Sequence, residues 1–106
     1  DCVMPTRNAR HGLIFTYEGK INIKNNKWKD DFSPIDLNAK NESSRIFSKA
    51  YLRHLFVSNE ILGMQLASIH NLSFYLRLVE DARYQIELGN FTNWKNKIIE
   101  DLERKI

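Results

Sequence analysis

With a single cysteine, Cys2, among its 106 residues, the chain cannot form an internal disulfide. That excludes the cross-linked frameworks of small secreted domains and fits a reducing, cytoplasmic setting. Beside Val3, Cys2 reads as a small buried hydrophobe. No apolar run approaches the ~20 residues needed to cross a bilayer, and no signal-peptide pattern opens the chain, so no membrane partner is expected. Internal repeats, low-complexity tracts and linkers are also missing. So are a Gly-rich phosphate loop and a Ser/His/Asp arrangement, which leaves His11 and His54 as surface or helix-face histidines. The first residue is Asp1 rather than Met, so a segment trimmed from a longer chain is expected.

What is present is the material of a folded domain. Hydrophobic residues make up 42% of the chain, charged residues 27% and aromatics 11%, unlike a disordered tail. At this length one modest core is the ceiling, because such a chain buries only about two thirds of its unfolded surface. The net charge of +3 is unevenly spread. Residues 1–29 hold Arg7, Arg10, Lys20, Lys24, Lys27 and Lys29 against Asp1 and Glu18, six cations to two anions, so the rest of the chain is slightly acidic. A basic front favours a polyanion as partner over an acidic small molecule.

The pattern along the chain implies an α+β fold, a small antiparallel hairpin followed by a helical half. Leu13–Tyr17 and Ile21–Lys24 read as strands around a turn at Glu18-Gly19-Lys20, with Ile21 and Ile23 on one face and Asn22 and Lys24 on the other. Trp28 is expected to extend the sheet, and residues 30–34 to form a loop. Residues 36–47 show no period and are rich in turn formers. From Ser48 the text becomes helical, with a first helix around Ala50–Phe56 and Ser58 as N-cap of the next. Leu62, Ile69, Leu72, Leu76, Val79 and Ile86 then form a long apolar stripe, expected to be the buried face of one helix or of two meeting near His70-Asn71. Gly89 reads as its C-cap. Thr92 is expected to cap a last helix that buries Trp94, Ile98 and Leu102, with the final Lys and Arg residues suiting its dipole. Tyr17, Trp28, Tyr51 and Trp94 read as core aromatics more readily than as base-stacking platforms.

The chemistry concentrates in the first ten residues, DCVMPTRNAR. They hold a carboxylate, a Val-Met-Pro step and two guanidinium groups within one short reach of backbone. An aspartate held dry and aimed is a competent nucleophile, and arginine forks match phosphate oxygens in bidentate geometry. By spacing alone, Asp and Arg this close are more often a solvated turn; the alternative that the residue types suggest is chemistry on a nucleotide sugar.

DCVMPTRNARHG, INIKNNKWKDDFSPID and SKAYLRHLFVSNEILGMQLASIHNL, in this order, resemble the C-terminal region of the queuine tRNA-ribosyltransferase family, also called tRNA-guanine transglycosylases. The resemblance covers nearly the whole chain. It implies that residues 1–11 close a (β/α)8 barrel as an active-site loop, that 12–47 form a β-rich subdomain, and that 48–106 form a helical part. It also implies exchange of guanine for a queuine-type 7-deazaguanine at the tRNA wobble position. Asp1 matches the family's nucleophile, which forms a covalent ester with the ribose. Thr6, Arg7, Asn8, Ala9 and Arg10 match the stretch that grips the anticodon loop. The family's second catalytic aspartate and base pocket lie upstream, so the 106-residue chain alone is expected to be inactive.

The resemblance breaks at one place. Most bacterial members carry Cys-x-Cys-x-x-Cys in the 36–47 stretch, with a histidine twenty-six residues after the last cysteine, and hold a structural zinc there. The corresponding positions here are Ala39, Asn41 and Ser44, and only His70 matches. A structural zinc needs four N or S ligands, so no zinc and no other cofactor is expected. His70 is then expected to be a hydrogen-bonded core histidine, and the loop to be held by packing of Ile46 and Phe47. The expected partners are the tRNA anticodon loop, a queuine-type base and a second copy of the chain in a homodimer. A non-catalytic tRNA-binding or dimerisation module is the alternative.

Overall fold

The computed structural model describes residues 3–106, with side chains from residue 7 onward; Asp1 and Cys2, and with them the expected nucleophile, lie outside the described residues. Val3–Arg10 form a helix, α1, where a loop was expected. Pro5 does not break it, because proline is tolerated in a first helical turn whose N–H groups lack intrahelical partners. The helix ends where Gly12 N–H bonds back to Ala9 O at 2.9 Å.

Strands β1 (Leu13–Thr16) and β2 (Gly19–Asn22) pair antiparallel, with Ile14 opposite Ile21 and Thr16 opposite Gly19. The turn is Tyr17-Glu18, one residue earlier than the sequence suggests. Thr16 decides this register: its Oγ1 accepts from Glu18 N–H and Gly19 N–H (both 3.2 Å) and donates to Gly19 O at 2.8 Å. The alternation beyond it holds as expected, with Ile21 and Ile23 buried and Asn22 and Lys24 exposed. Trp28 is buried but adds no strand; it closes a 3-10 turn, Asn26–Trp28, capped by Asn25.

The outer edge of β2 is covered by the end of the chain. Lys20 N–H donates to Arg104 O at 2.7 Å and Ile106 N–H donates to Lys20 O at 3.0 Å, so three residues act as a partial third strand on an otherwise open edge. Arg104 and Lys105 therefore serve the hairpin as well as the last helix: the Arg104 guanidinium reaches Glu18 O and Asp101. Gly19 permits this closure. Its φ is +143°, and a Cβ there would lie 2.5 Å from Arg104 O, whereas Gly89 at φ +71° has nothing within 4 Å. Gly19→Ala is expected to cost about 2–4 kcal/mol and Gly89→Ala only about 1 kcal/mol, because only the first adds a backbone collision to the strained φ. Urea midpoints of the two variants check this; equal losses would remove the collision argument.

The helices follow as α2 (Glu42–Ile46), α3 (Lys49–Val57), α4 (Ile61–Glu87) and α5 (Phe91–Glu103). Ser48 caps α3 by accepting from Tyr51 N–H, while Ser58, expected to start α4, is instead the C-cap of α3. Helix α4 is one continuous helix through His70-Asn71. Its 27 residues rise about 40 Å and set the 46 Å long dimension of the molecule. Among the described residues no helix is long and apolar enough to cross a membrane. Gly89 does end α4 as expected: Gly89 N–H bonds to Ile86 O and Asn90 N–H to Gln85 O, a Schellman closure. Helix α5 starts at Phe91, ahead of Thr92, and buries no residue fully; Trp94, Ile98 and Leu102 are half-covered.

The core joins Ile14, Ile21, Ile23, Trp28 and Ile35 to Leu52, Leu55 and Phe56 of α3 and Leu66 and Ala67 of α4. The face of α4 that enters it is Gly63, Leu66, Ala67, His70, Asn71 and Phe74. This corrects the expected stripe: Leu62, Ile69, Val79 and Ile86 are exposed, and Leu76 is 66% exposed.

Candidate active site

Helix α1 lies against α4 and β1, which places its C-terminal turn at the start of the hairpin. Arg7 and Arg10, three residues apart and so on adjoining parts of the helix surface, are both exposed. Asn8 is half-buried and its carbonyl accepts from His11 N–H at 3.1 Å. Ala9 is 0% exposed and belongs to the core, so its side chain offers no RNA contact; its role is to let α1 sit closely on its neighbours. Thr6 lies within α1, and its side chain is outside the described residues. Arg10 stands at the edge of an open groove of about 550 Å3 whose other walls are α4 residues, among them Leu62, Met64, Leu66 and Ile69. Two guanidinium forks on one short helix can hold phosphate oxygens in bidentate fashion.

A second group of sequence-selected residues converges at the middle of α4. His70, 1% exposed, uses both ring nitrogens: Nε2 lies 2.7 Å from Phe15 O and Nδ1 lies 2.7 Å from Ser44 Oγ. A carbonyl only accepts, so Nε2 carries the proton and Nδ1 accepts from the Ser44 hydroxyl. Ser44 Oγ in turn accepts from Asn41 Nδ2 at 2.9 Å, while Asn41 Oδ1 caps α2 through Ser43 N–H. Residues 36–47 are thus tied by polar contacts, with Ile35 N–H to Phe47 O and Asp36 N–H to Ser44 O closing the base. The packing expected of Ile46 is not made, since it is 64% exposed; Phe47 does pack on the core and stacks on Tyr51.

Asn71, next on the helix, works on the same strand. Its Oδ1 accepts from Phe15 N–H at 3.2 Å and its Nδ2 donates to Leu13 O at 2.9 Å, so a side-chain amide pairs with β1 as a neighbouring strand would. No expectation from sequence assigned Asn71 a role. The available signal was a second polar residue beside His70 inside a run of apolar ones. Further along, Tyr17 OH donates to Asp81 at 2.6 Å, its ring tilts on Phe74, and Arg77 lies over its face. Burial and the Asp81 carboxylate hold the Tyr17 hydroxyl well above its ordinary pKa, so it stays a donor. His11 and His54 are exposed, as expected.

Burial pushes the His70 imidazole below its ordinary pKa of 6.5, against the Phe15 carbonyl and the Asp36 carboxylate, which both favour the proton. The unfolded imidazole therefore protonates at higher pH than the folded one. The stability that His70 contributes is fully present above about pH 6.5 and is lost as pH falls through the folded value, by at most about 1.4 kcal/mol per pH unit. Urea midpoints measured from about pH 7.5 to 5 should fall on acidification, and His70→Gln, which keeps an N–H for Phe15 O, should flatten that slope. A slope identical in the variant would assign it to other groups.

The profile of one protein family, described as Queuine tRNA-ribosyltransferase, matches residues 1–104. The chain belongs to this family. Among curated relatives of that name, the Aquifex aeolicus protein is 48% identical over 106 residues, covering 100% of this chain and 28% of the relative. The Oleidesulfovibrio alaskensis protein is 50% identical over 97 residues, covering 92% of this chain and 26% of the relative. A Francisella tularensis protein is 48% identical over 99 residues, with 93% and 27% covered. The chain therefore spans about a quarter of the length of the queuine tRNA-ribosyltransferases it matches. Both the α1 segment with its exposed arginines and the His70 cluster fall inside the matched region.

Proposed function

We propose that this chain is the C-terminal part of a queuine tRNA-ribosyltransferase that exchanges guanine for a queuine-type 7-deazaguanine at the tRNA wobble position. The observation that carries this reading is a family match over nearly all of the chain, beginning at Asp1 and continuing through the exposed Arg7–Arg10 face.

The chemistry follows from the residue types. In the first half-reaction a carboxylate oxygen of Asp1 bonds to the ribose anomeric carbon as the glycosidic C–N bond breaks; the electron pair leaves with guanine, which takes up a proton. In the second, the glycosidic nitrogen of the incoming base attacks the same carbon and loses its proton, and the ester C–O bond breaks to regenerate the carboxylate. Covalent capture divides one hard substitution into two easier ones, and the anion stabilises positive charge building on the anomeric carbon. Arg7 and Arg10 hold anticodon-loop phosphates, with Thr6 and Asn8 and the backbone around Ala9 meeting exposed base edges. In this reading residues 1–11 belong at the C-terminal face of a (β/α)8 barrel, where active residues of that fold collect. The enzyme works in the cytoplasm, where its tRNA is found.

The test uses the full-length protein, labelled guanine and tRNA. Expected are incorporation of label and, on denaturing gels, a tRNA–protein adduct whose attachment maps to Asp1. An adduct at another residue would overturn the nucleophile assignment, and no incorporation would overturn the activity.

A second role is supported by the exposed Leu62, Ile69, Leu76, Val79 and Ile86 on α4. An apolar stripe of this length favours self-association, here a homodimer. Its mass across a range of protein concentrations decides between that and cover by other parts of the same polypeptide.

A further inference from the structure

The four positions at which the family resemblance implies a zinc site come together in this fold, yet their side chains do not suit the metal. Ala39 and His70 line one cavity of about 10 Å3, at the lower limit for a single water molecule. Asn41, Ser44 and His70 form an unbroken row of hydrogen bonds that ends on the Phe15 carbonyl. A methyl, an amide and a hydroxyl stand where a structural zinc needs N or S donors. The one imidazole has no lone pair left, since Nδ1 takes the Ser44 proton and Nε2 gives its own to Phe15 O. Among the described residues no group of three or more His, Cys, Asp or Glu side chains is placed to hold a metal ion.

We propose that this chain fastens its 36–47 loop to α4 and the hairpin through the Asn41–Ser44–His70–Phe15 hydrogen-bond row in place of a metal, and that the protein carries no structural zinc. The row links three of the four positions that a bound ion would tie, with Ala39 outside it. It joins the loop (Asn41 and Ser44) to the helix (His70), and then reaches one element further, to strand β1. Of the three bonds in the row, all between neutral groups, Asn41–Ser44 orders the loop, Ser44–His70 crosses to the helix and His70–Phe15 carries the tie to the strand. The backbone pairs at Ile35–Phe47 and Asp36–Ser44 close the base, and the Arg77 guanidinium on Asn38 O and the Lys40–Glu80 pair are flanking ties at the surface. A metal tie of this kind is made or lost with the ion and with thiol oxidation. The row depends on neither, and fails instead when any one member loses its donor or acceptor.

The test is metal content and thermal midpoint of the full-length protein prepared from zinc-supplemented cells. Expected are less than about 0.1 zinc per chain and a midpoint unchanged by a strong chelator, as for a fold not linked to metal binding. Ser44→Ala, which strands the buried Nδ1, should lower the midpoint by about 2–8 °C. The triple variant Ala39→Cys/Asn41→Cys/Ser44→Cys frees Nδ1 beside three thiols, and should bind about one zinc per chain and become chelator-sensitive. Stoichiometric zinc in the unmodified protein, or a midpoint that falls on chelation, would overturn the proposal. An unchanged midpoint in Ser44→Ala would equally remove the row as the fastening, and a triple variant that folds without taking up zinc would refute the convergence of the four positions.

Discussion

Asp1→Asn in the full-length protein is expected to lower guanine exchange into tRNA by on the order of 10³–10⁶-fold while tRNA affinity stays within a few-fold of the original. The amide keeps the size and most of the polarity of the carboxylate but cannot form the ribosyl ester, so the change isolates covalent capture from binding. The tRNA–protein adduct should disappear with the activity. Arg7→Ala and Arg10→Ala should do the reverse. Each removes an exposed guanidinium from α1 and should weaken tRNA binding by several-fold at low salt, with the salt dependence reduced by about 0.7 per lost phosphate contact. If Asp1→Asn exchanged guanine at the original rate, the covalent mechanism would be wrong for this protein, and tRNA binding without catalysis by this segment would become the better account.

The largest structural effect is expected at Asn71. Its amide serves Phe15 N–H and Leu13 O together, and it lies 0% exposed where water cannot substitute. Asn71→Ala strands both backbone groups at about 1–3 kcal/mol each, so a loss of roughly 2–6 kcal/mol is expected. Asn71→Asp keeps the acceptor for Phe15 N–H but not the donor for Leu13 O and buries a charge as well, so it should be no better than alanine. Exposed Tyr84 gives the comparison, with Tyr84→Ala expected within about 0.5 kcal/mol of the original. Urea denaturation measures the losses, and hydrogen exchange adds a local readout, since the Phe15 amide should lose protection in Asn71→Ala. Full protection of that amide in the variant would mean that the side chain does not hold the strand.

The hairpin was legible because its signal is local. Ile21 and Ile23 alternate with Asn22 and Lys24, and the period of two survives into the structure. The turn was misplaced by one residue because Thr16 selects the register with its hydroxyl, a contact that hydrophobic patterning does not report. Gly89 was legible as a cap for the same local reason. Ser58 was not, because serine suits either end of a helix and the positive φ of Asn59 decides which.

Helix α4 shows where reading from sequence stops. Periodicity announced an amphipathic helical stretch and left one helix or two open, but the more apolar face stays exposed and a face carrying His70 and Asn71 is buried. Hydrophobicity alone ranks those faces the other way. The order is reversed because the edge of β1 presents Leu13 O, Phe15 N–H and Phe15 O, which need partners once buried, and leucine side chains cannot supply them.

By itself, then, the amino-acid order determined the family, the α+β class, the hairpin, the helical character of the chain after Ser48 and the absence of cysteines from the 36–47 loop. These depend on neighbours a few residues apart or on strings that can be read directly. Tertiary structure alone decided that α1 is helical with Ala9 inside, that residues 104–106 close the sheet edge, and that Ser44 completes a row through His70 to Phe15. Each of those outcomes turns on a polar or steric demand raised by a distant part of the chain, and only folding brings the two together.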